Sequence, residues 1–507
     1  MDATVAAYKQ LKVLLEMRPA LDRHAGIPQQ TRLLFRALAL REDLAVAGLI
    51  QSSSNALGSG LPAESAGGSG LSMDEQINRL SRIVIMLDQG FLRSRVSALL
   101  LAGRRLVGRS EELTRFEPRH FRDFIWRRMF AKSLPPADFE LVTGAGFRIA
   151  RAPWTAFHIC TLASGGLLIP RLDTSEFDVM IAETPYPAKV SKRTKLVIRY
   201  HDAVPLLMPH TIADRRYDQA FHYRALRHNV ANGAWFVCVS EATRRDLLAV
   251  FPQVESRAVT IHNMVSHEYF DEPSAPARVA EIIGRRRNPR VLRLEKGSRD
   301  VALADDSRGG AIDYLLMVST VEPRKNHLAL LAAWERLRSE GHSGLKLILV
   351  GSLGWHHAEI VRKYRPWVRR GDAFVLDDVP SSELRLLYKH ARVAVCPSFA
   401  EGFGLSGVEA MMCGCPVVAS DIAAHREVYA DAAEYCNPYS LDDLVRAIRG
   451  VIDPANARRR EELVALGAAV ARRYTCEAIQ PKWRAFLAAA CAPHAAVSEK
   501  MPAALGI

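Results

Sequence analysis

No apolar run in this sequence approaches the roughly 18–20 residues that cross a bilayer, so a polytopic membrane protein is excluded. No internal repeat is visible, which excludes a fibrous array. Cysteine is sparse: the eight residues at 160, 238, 396, 413, 415, 436, 476 and 491 form no pair of pairs with zinc-ligand spacing. Several lie in apolar runs such as Phe236-Val237-Cys238-Val239, the pattern of reduced core thiols in a cytosolic protein. Cys413 and Cys415 are spaced C-x-C without a second pair, and no metal site is expected. The opening stretch, Met1 to Leu15, carries Asp2 and a short apolar tract, so it does not read as a signal peptide.

What is present is ordinary for a soluble globular enzyme: 49% hydrophobic and 24% charged residues, which excludes a wholly disordered chain. The 507 residues suggest two to four domains. Lys and Arg (68) outnumber Asp and Glu (55), a net +13 that favours phosphates or an acidic membrane face as partners.

Two regions alternate β-type runs with helical patterns, the signature of parallel α/β layers. The first has runs at 11–15, 44–50, 179–182, 195–199, 235–239 and 258–261, with a helical pattern at 30–40. Its Ser/Gly-rich segment 52–70 reads as a loop or flexible insertion. A basic, amphipathic helical stretch, 73–109, comes next. The second region has runs at 314–318, 346–350, 373–376, 393–396 and 416–419. Between them, from Asp271 to Gly310, the pattern dissolves into Pro, Arg, Gly and Asp, as a linker would.

The most informative stretch is 397–416. Gly402 and Gly404 allow close approach of a ligand to the backbone, and a helix start near Ser406 offers free N–H groups to a phosphate. Glu401 and Glu409 flank that helix start and can face one crevice. Ser406-x-x-Glu409 is also a capping box, in which Glu409 would only satisfy a backbone N–H. A second stretch, Glu322-Pro323-Arg324-Lys325-Asn326, puts a cationic pair where a strand runs into a helix, suited to a diphosphate or simply to solvent.

The run from Glu401 to Glu409 resembles the E-x7-E signature of retaining nucleotide-sugar glycosyltransferases, in particular family 4, with Ser406 where proline is common. The 322–326 segment is similar to that family's diphosphate-binding turn, Lys325 matching the family lysine; Ser319 stands where many members have an additional Arg, a role open to Arg324. Its form resembles a mannosyltransferase or O-antigen subset. Gly351 to Trp355 resembles the loop that closes on the donor, Asp377 to Leu384, with Val379, the turn whose backbone reads the base, and Ser398 a hydroxyl near the phosphates. His201-Asp202-Ala203-Val204-Pro205 is similar to the family's HD-x-x-P, and 24–29, with Gly26, to its glycine-containing first loop. Asp202 either polarises His201 or caps the next turn, and Ser240 reads as an N-cap.

The resemblance implies an α/β, GT-B architecture of two Rossmann-like domains facing across a cleft. An acceptor domain would occupy 1–275 with an insertion near 52–110, then a linker 276–311, a donor domain 312–475, and a crossover helix and tail 476–507. It further implies transfer of a hexosyl unit from a nucleoside-diphosphate sugar, GDP-mannose favoured and UDP- or dTDP-sugars open, to a glycan or lipid-linked acceptor in cell-surface polysaccharide synthesis. His201, Glu401, Lys325 and Arg324 would be catalytic. Gly26, Gly351, Val379, Ser398, Gly402, Phe403, Gly404, Leu405 and Glu409 would bind the donor, without metal or other cofactor. Residues 79–109, with Leu80, Ile83, Ile85, Leu92, Leu99 and Leu101 among arginines, either pack as a helical layer or lie on an anionic membrane, placing the protein in the cytoplasm or peripherally on the inner face of the plasma membrane. Two rivals stand against this. In a glycoside hydrolase Glu401 and Glu409 would be acid and nucleophile, leaving Arg324-Lys325 without purpose. A nucleic-acid binder would use Arg285–Arg287 and Arg458–Arg460, but no helix-turn-helix, zinc-finger or RNP pattern supports one, and nucleic acid is not an expected partner.

Overall fold

The computed structural model describes residues 10–21, 26–62, 71–89, 94–164, 166–212, 217–292 and 311–492. Two sheets organise them. The first contains β1 (Leu11–Glu16), β2 (Leu44–Ile50), β3 (Leu113–Phe116), β4 (Gly146–Ala150), β5 (Val179–Ala182), β6 (Lys195–Tyr200), β7 (Trp235–Cys238) and β8 (Ala258–Thr260). Its order is β3-β4-β2-β1-β5-β6-β7-β8, and the β3–β4 pair is antiparallel while the other pairs are parallel. The second contains β9 (Tyr314–Val318), β10 (Lys346–Val350), β11 (Ala373–Leu376), β12 (Val393–Cys396), β13 (Val417–Ser420) and β14 (Ala433–Cys436), all parallel in the order β11-β10-β9-β12-β13-β14.

Apart from β3, β4 and β14, these strands are short, largely Val/Ile/Leu-rich runs buried on both faces, as parallel sheets covered by helices require. Each sheet starts near its middle, builds to one side, then returns to the other side of its first strand. The reversals lie between β1 and β5 and between β9 and β12. At such switch points the loops leaving the carboxyl ends diverge and open a crevice. The chain therefore has two crevices in which to place a site.

Eight helices bear on the site or on the packing around it: α1 (Gly26–Ala39), α2 (Met73–Gln89), α3 (Ser94–Leu106), α4 (Glu241–Val250), α5 (Arg278–Arg286), α6 (His327–Ser339), α7 (Leu405–Met412) and α8 (Cys476–Cys491). The last returns to the first sheet. Ile479, Trp483, Phe486 and Leu487 are buried in the same apolar cluster as Val13, Val197 and Val237. Trp483 also lies under the Arg199 guanidinium, 5.1 Å from its ring centre. Each such large side chain contributes about 1.5–3 kcal/mol by leaving water.

The structure differs from the sequence-based expectations in several places. The 73–109 stretch is two helices, α2 and α3, with 90–93, including Leu92, outside the described residues. Leu80, Ile83 and Leu101 are core residues, so for them the packing alternative holds. Ile85 (46%), Leu99 (75%), Leu100 (62%) and Leu106 (71%) are exposed. Within 52–62, Leu57 and Leu61 are buried and Leu61 bridges Arg115, so this part is anchored rather than loose; 63–70 lie outside the described residues. The stretch that reads as a linker includes α5, whose Val279, Ile282 and Ile283 enter the second core at helical spacing, while 293–310 lie outside the described residues. Strands β3, β4 and β14 escape the sequence reading because their charged and small residues break the apolar run. The arginine clusters are partly engaged within the protein: Arg286 pairs with Glu383, Arg287 stacks over Phe374, and Arg459 pairs with Glu434 and Glu462.

Candidate active site

The carboxyl ends of the two sheets face each other across a cleft of about 760 Å³. Both walls are loops that leave the switch points. From the first sheet come Gly26 and Gln29 after β1 and His201 and Asp202 after β6. From the second come Ser319 to Lys325 after β9, Gly351 to Trp355 after β10, the Asp377–Val379 turn after β11, and Glu401 to Ser406 after β12.

The charged centre is the meeting of the β9 and β12 loops. Lys325 Nζ donates to Glu401 Oε1 at 2.5 Å, Arg324 Nη1 donates to Glu401 Oε2 at 3.1 Å, and Arg324 Nη2 donates to Glu322 Oε1 at 3.0 Å. Burial would raise the Glu401 pKa, but the Lys325 and Arg324 charges outweigh it and hold this carboxyl well below the usual range. Glu322 goes the other way, pushed up by burial despite Arg324 and Lys325. The turn is held by Asn326, which adopts the left-handed conformation (φ 63°) and donates through Nδ2 to Pro397 O and Pro438 O. A short polar side chain tolerates that backbone better than most. Ser398 is buried behind the cluster rather than on the cleft wall, where its Oγ donates to Glu401 Oε1 at 2.7 Å.

Glu409 occupies the other end. It lies one turn into α7, is 4% exposed, and accepts from Gln29 Nε2 at 3.1 Å and from Tyr388 Oη at 3.2 Å. Burial pushes its carboxyl up to about 7, against the hydrogen bonds from Gln29, Tyr388 and Tyr269. The capping-box alternative is thereby overturned: α7 starts at Leu405 behind Gly404, Gly404 is the left-handed N-cap residue (φ 84°), and no side chain caps it. A helix of this kind leaves its first N–H groups open toward the cleft.

Two glycines of this loop answer to protein rather than to a ligand. A Cβ on Gly402 would sit 1.7 Å from His201 O, so the two walls touch backbone to backbone there. A Cβ on Gly404 would sit 2.3 Å from Tyr429 Oη, which hydrogen-bonds Gly404 O. Phe403 turns inward against Tyr474 and His262, and Val379 sends its side chain to the core, leaving main chain to the cleft.

Further contacts hold the walls together. Ser240 caps α4, accepting from Thr243 N at 3.0 Å, and donates across to Gly402 O at 2.6 Å. Glu427 accepts from the first amides of α4, Glu241 N at 2.6 Å and Ala242 N at 2.8 Å, and lies 2.9 Å from His262 Nε2. A carboxylate at a helix N-terminus meets the positive end of its dipole. Trp355 donates its indole N–H to Thr211 O. Glu183, Tyr388, Tyr269 and Glu427 are the contributors that sequence reasoning missed, since single polar residues outside a motif carry no local signal; Gln29 lies at the end of the 24–29 loop, but its contact with Glu409 is not legible there. Asp202 accepts from Val204 N at 3.0 Å and so caps its turn, while the partner of His201 is Glu183.

Among the described residues no group of His, Cys, Asp and Glu gathers three ligands for a metal ion, and the cysteines at 413 and 415 are buried free thiols. No helix is long and apolar enough to cross a membrane among them.

Two largely parallel α/β units with facing carboxyl ends and a ligand-sized cleft define the GT-B class of fold. The same arrangement is seen in solved structures: sucrose-phosphate synthase from Thermosynechococcus elongatus (TM-score 0.54, 16% identity, 95% of this chain and 100% of that one) and HepE from Anabaena, solved with UDP (TM-score 0.52, 15% identity, 94% and 100%). Residues 310–463 match the family described as glycosyl transferases group 1, and residues 125–269 match glycosyltransferase family 4. Together these segments take in more than half of the chain, and the protein belongs to the family 4 glycosyltransferases. A 254-residue segment is 30% identical to the O-antigen chain mannosyltransferase B of Escherichia coli, covering 50% of this chain and 60% of that protein. The chain thus spans less than two thirds of the first curated relatives it resembles.

Proposed function

We propose that this protein transfers a hexosyl unit from a nucleoside-diphosphate sugar to a hydroxyl of a glycan or lipid-linked acceptor, with retention at the anomeric carbon. The observation that carries the reading is the Lys325–Glu401–Arg324 cluster lying across from His201, with the open start of α7 beside it. A leaving diphosphate gathers negative charge, and Lys325, Arg324 and the amides after Gly404 are fixed in place to receive it, with no reorganisation at the moment of reaction. Glu401, kept ionised by those two cations, accepts hydrogen bonds from hydroxyls of the transferred sugar. Glu409 accepts the ribose hydroxyls, taking over hydrogen bonds that Gln29 and Tyr388 now supply. His201 reaches the same space from the opposite wall and positions sugar and acceptor.

A mannosyl group from GDP-mannose is the favoured donor, supported by the Glu322–Asn326 form and by the mannosyltransferase relative; UDP- and dTDP-sugars are the alternatives. A lipid-linked acceptor at an anionic membrane face agrees with the net charge of +13 and with exposed Leu99, Leu100 and Leu106 beside Arg104 and Arg105 on α3. The hydrolase alternative leaves Lys325 and Arg324 without a task, whereas both cations are held directly against Glu401 in the cleft.

The test is thermal stabilisation by GDP, UDP, ADP, dTDP and their sugars without added metal. A ligand at 100 times its Kd adds about 2.7 kcal/mol. A shift selective for GDP and GDP-mannose is expected. No shift with any nucleotide would overturn the reading.

A further inference from the structure

Parallel pairing sets Ala182 of β5 beside Ile198 of β6. That register brings Glu183, the first residue beyond β5, level with Arg199, and His201, the first beyond β6, follows two positions later where the sheet opens toward the cleft. Glu183 is fully buried, with Oε2 3.0 Å from His201 Nε2. Its own N–H donates to Glu16 Oε2 at 3.0 Å, and Glu16 in turn takes Arg18 Nε at 2.8 Å, so its backbone is pinned. Its second oxygen, Oε1, is buried without a hydrogen-bond partner. His201 reaches the cleft wall with a side chain 11% exposed, and its Nδ1 has no hydrogen-bond partner among the described residues.

Beyond its attraction to the buried Arg199 guanidinium nearby, a buried carboxyl with one hydrogen-bonded side chain and one idle oxygen adds little to a core, where an apolar side chain of similar size does as well or better. It is a good way to fix a ring. We infer that Glu183 is a positioning residue that sets the tautomer of His201. An ionised carboxyl accepts and never donates. It therefore keeps the proton of the neutral imidazole on Nε2 and leaves Nδ1 as a lone pair toward the cleft. His201 then receives a hydrogen bond from a hydroxyl, the group that sugars offer in abundance, rather than giving one. Asp202 does not compete for this task, because its carboxylate is engaged by Val204 N. That the hydroxyl belongs to a sugar rests on the transferase reading above; the state of the ring does not.

The experiment separates the two. Long-range proton–nitrogen spectra of the full chain labelled with 15N-histidine report which ring nitrogen carries the proton, and His201→Asn identifies the His201 signals by their loss. The expected spectrum has Nε2 protonated and Nδ1 bare. A wild-type ring with a proton on Nδ1 would overturn the inference, whether the ring were doubly protonated or Glu183 were the donor to a bare Nε2. Glu183→Gln, whose amide donates as well as accepts, is expected to shift the ring toward the other tautomer. With whichever nucleotide sugar gives turnover, Glu183→Gln should lower kcat about 10- to 100-fold, the loss of one charge-assisted hydrogen bond, with nucleotide Kd unchanged. The double variant with His201→Asn should be no slower than His201→Asn alone. Additive losses, or an equal loss of nucleotide binding, would make Glu183 merely structural. Absence of turnover with every nucleotide sugar would refute the transferase reading and leave the spectra to decide the tautomer.

Discussion

Glu409→Gln keeps the shape of a buried side chain and removes its ionisation. The ordinary carboxyl value of 4.5 is pushed by burial to about 7 in the folded protein. Below pH 4.5 the group is neutral both folded and unfolded, and its burial carries no charge. Between 4.5 and about 7 the unfolded chain releases the proton while the folded one keeps it, so stability falls as pH rises; above 7 the loss is complete. At about 1.36 kcal/mol per pH unit the loss is about 3 kcal/mol. Glutamine loses nothing over this range. The variant and the wild type should melt together near pH 4.5 and diverge steadily, the variant being the more stable by roughly 6–12 °C at pH 8, taking about 2–4 °C per kcal/mol for a domain of this size. Differential scanning fluorimetry in buffers from pH 4.5 to 8.5 makes the measurement. A difference in Tm that does not change with pH would refute the reasoning, whatever its size.

Three further outcomes rest on the same geometry. Gly402→Ala places a Cβ where His201 O now lies 1.7 Å away, so the walls should part and turnover fall about 100-fold while both sheets stay folded; small-angle scattering should report a larger radius of gyration, and an unchanged radius with normal turnover would sink the idea. Lys325→Ala should reduce kcat about 100- to 1000-fold with a smaller change in nucleotide Kd, read by steady-state kinetics and calorimetry; equal losses in both would make Lys325 a binding residue only. Glu427→Ala removes the acceptor of two α4 amides and of His262, and should weaken the contact between the two halves by about 1–3 kcal/mol, seen as lower interdomain transfer efficiency between dyes on the two halves.

The parallel strands were legible because a strand buried on both faces writes itself as an unbroken apolar run, as in Val179–Ala182 or Lys346–Val350. The segments that pair at an edge or carry charges, such as Leu113–Phe116, gave no such run. The motif residues were legible for a related reason: Arg324, Lys325, Glu401 and Glu409 lie within short, dense stretches in which glycine, proline and charge recur at fixed offsets. What the sequence withheld is everything set by contact across the cleft. Gln29 lies 380 positions from Glu409, and nothing in its own neighbourhood announces that it touches that carboxyl. The glycines show the same limit in reverse. Gly402 is visible as a glycine, yet its reason, the carbonyl of His201, lies 201 residues away on the other sheet.

The return of α8 to the first sheet has a practical consequence for anyone who would divide this protein. A cut made after the second sheet, near residue 475, seems to spare the first, yet it would strip Trp483, Phe486 and Leu487 from the core around Val13 and Val237. A free first half would need those sixteen residues, Cys476–Cys491, grafted back onto it, whereas the second half could spare them. A helix that follows the second sheet and packs into the core of the first limits how far the two halves can swing apart.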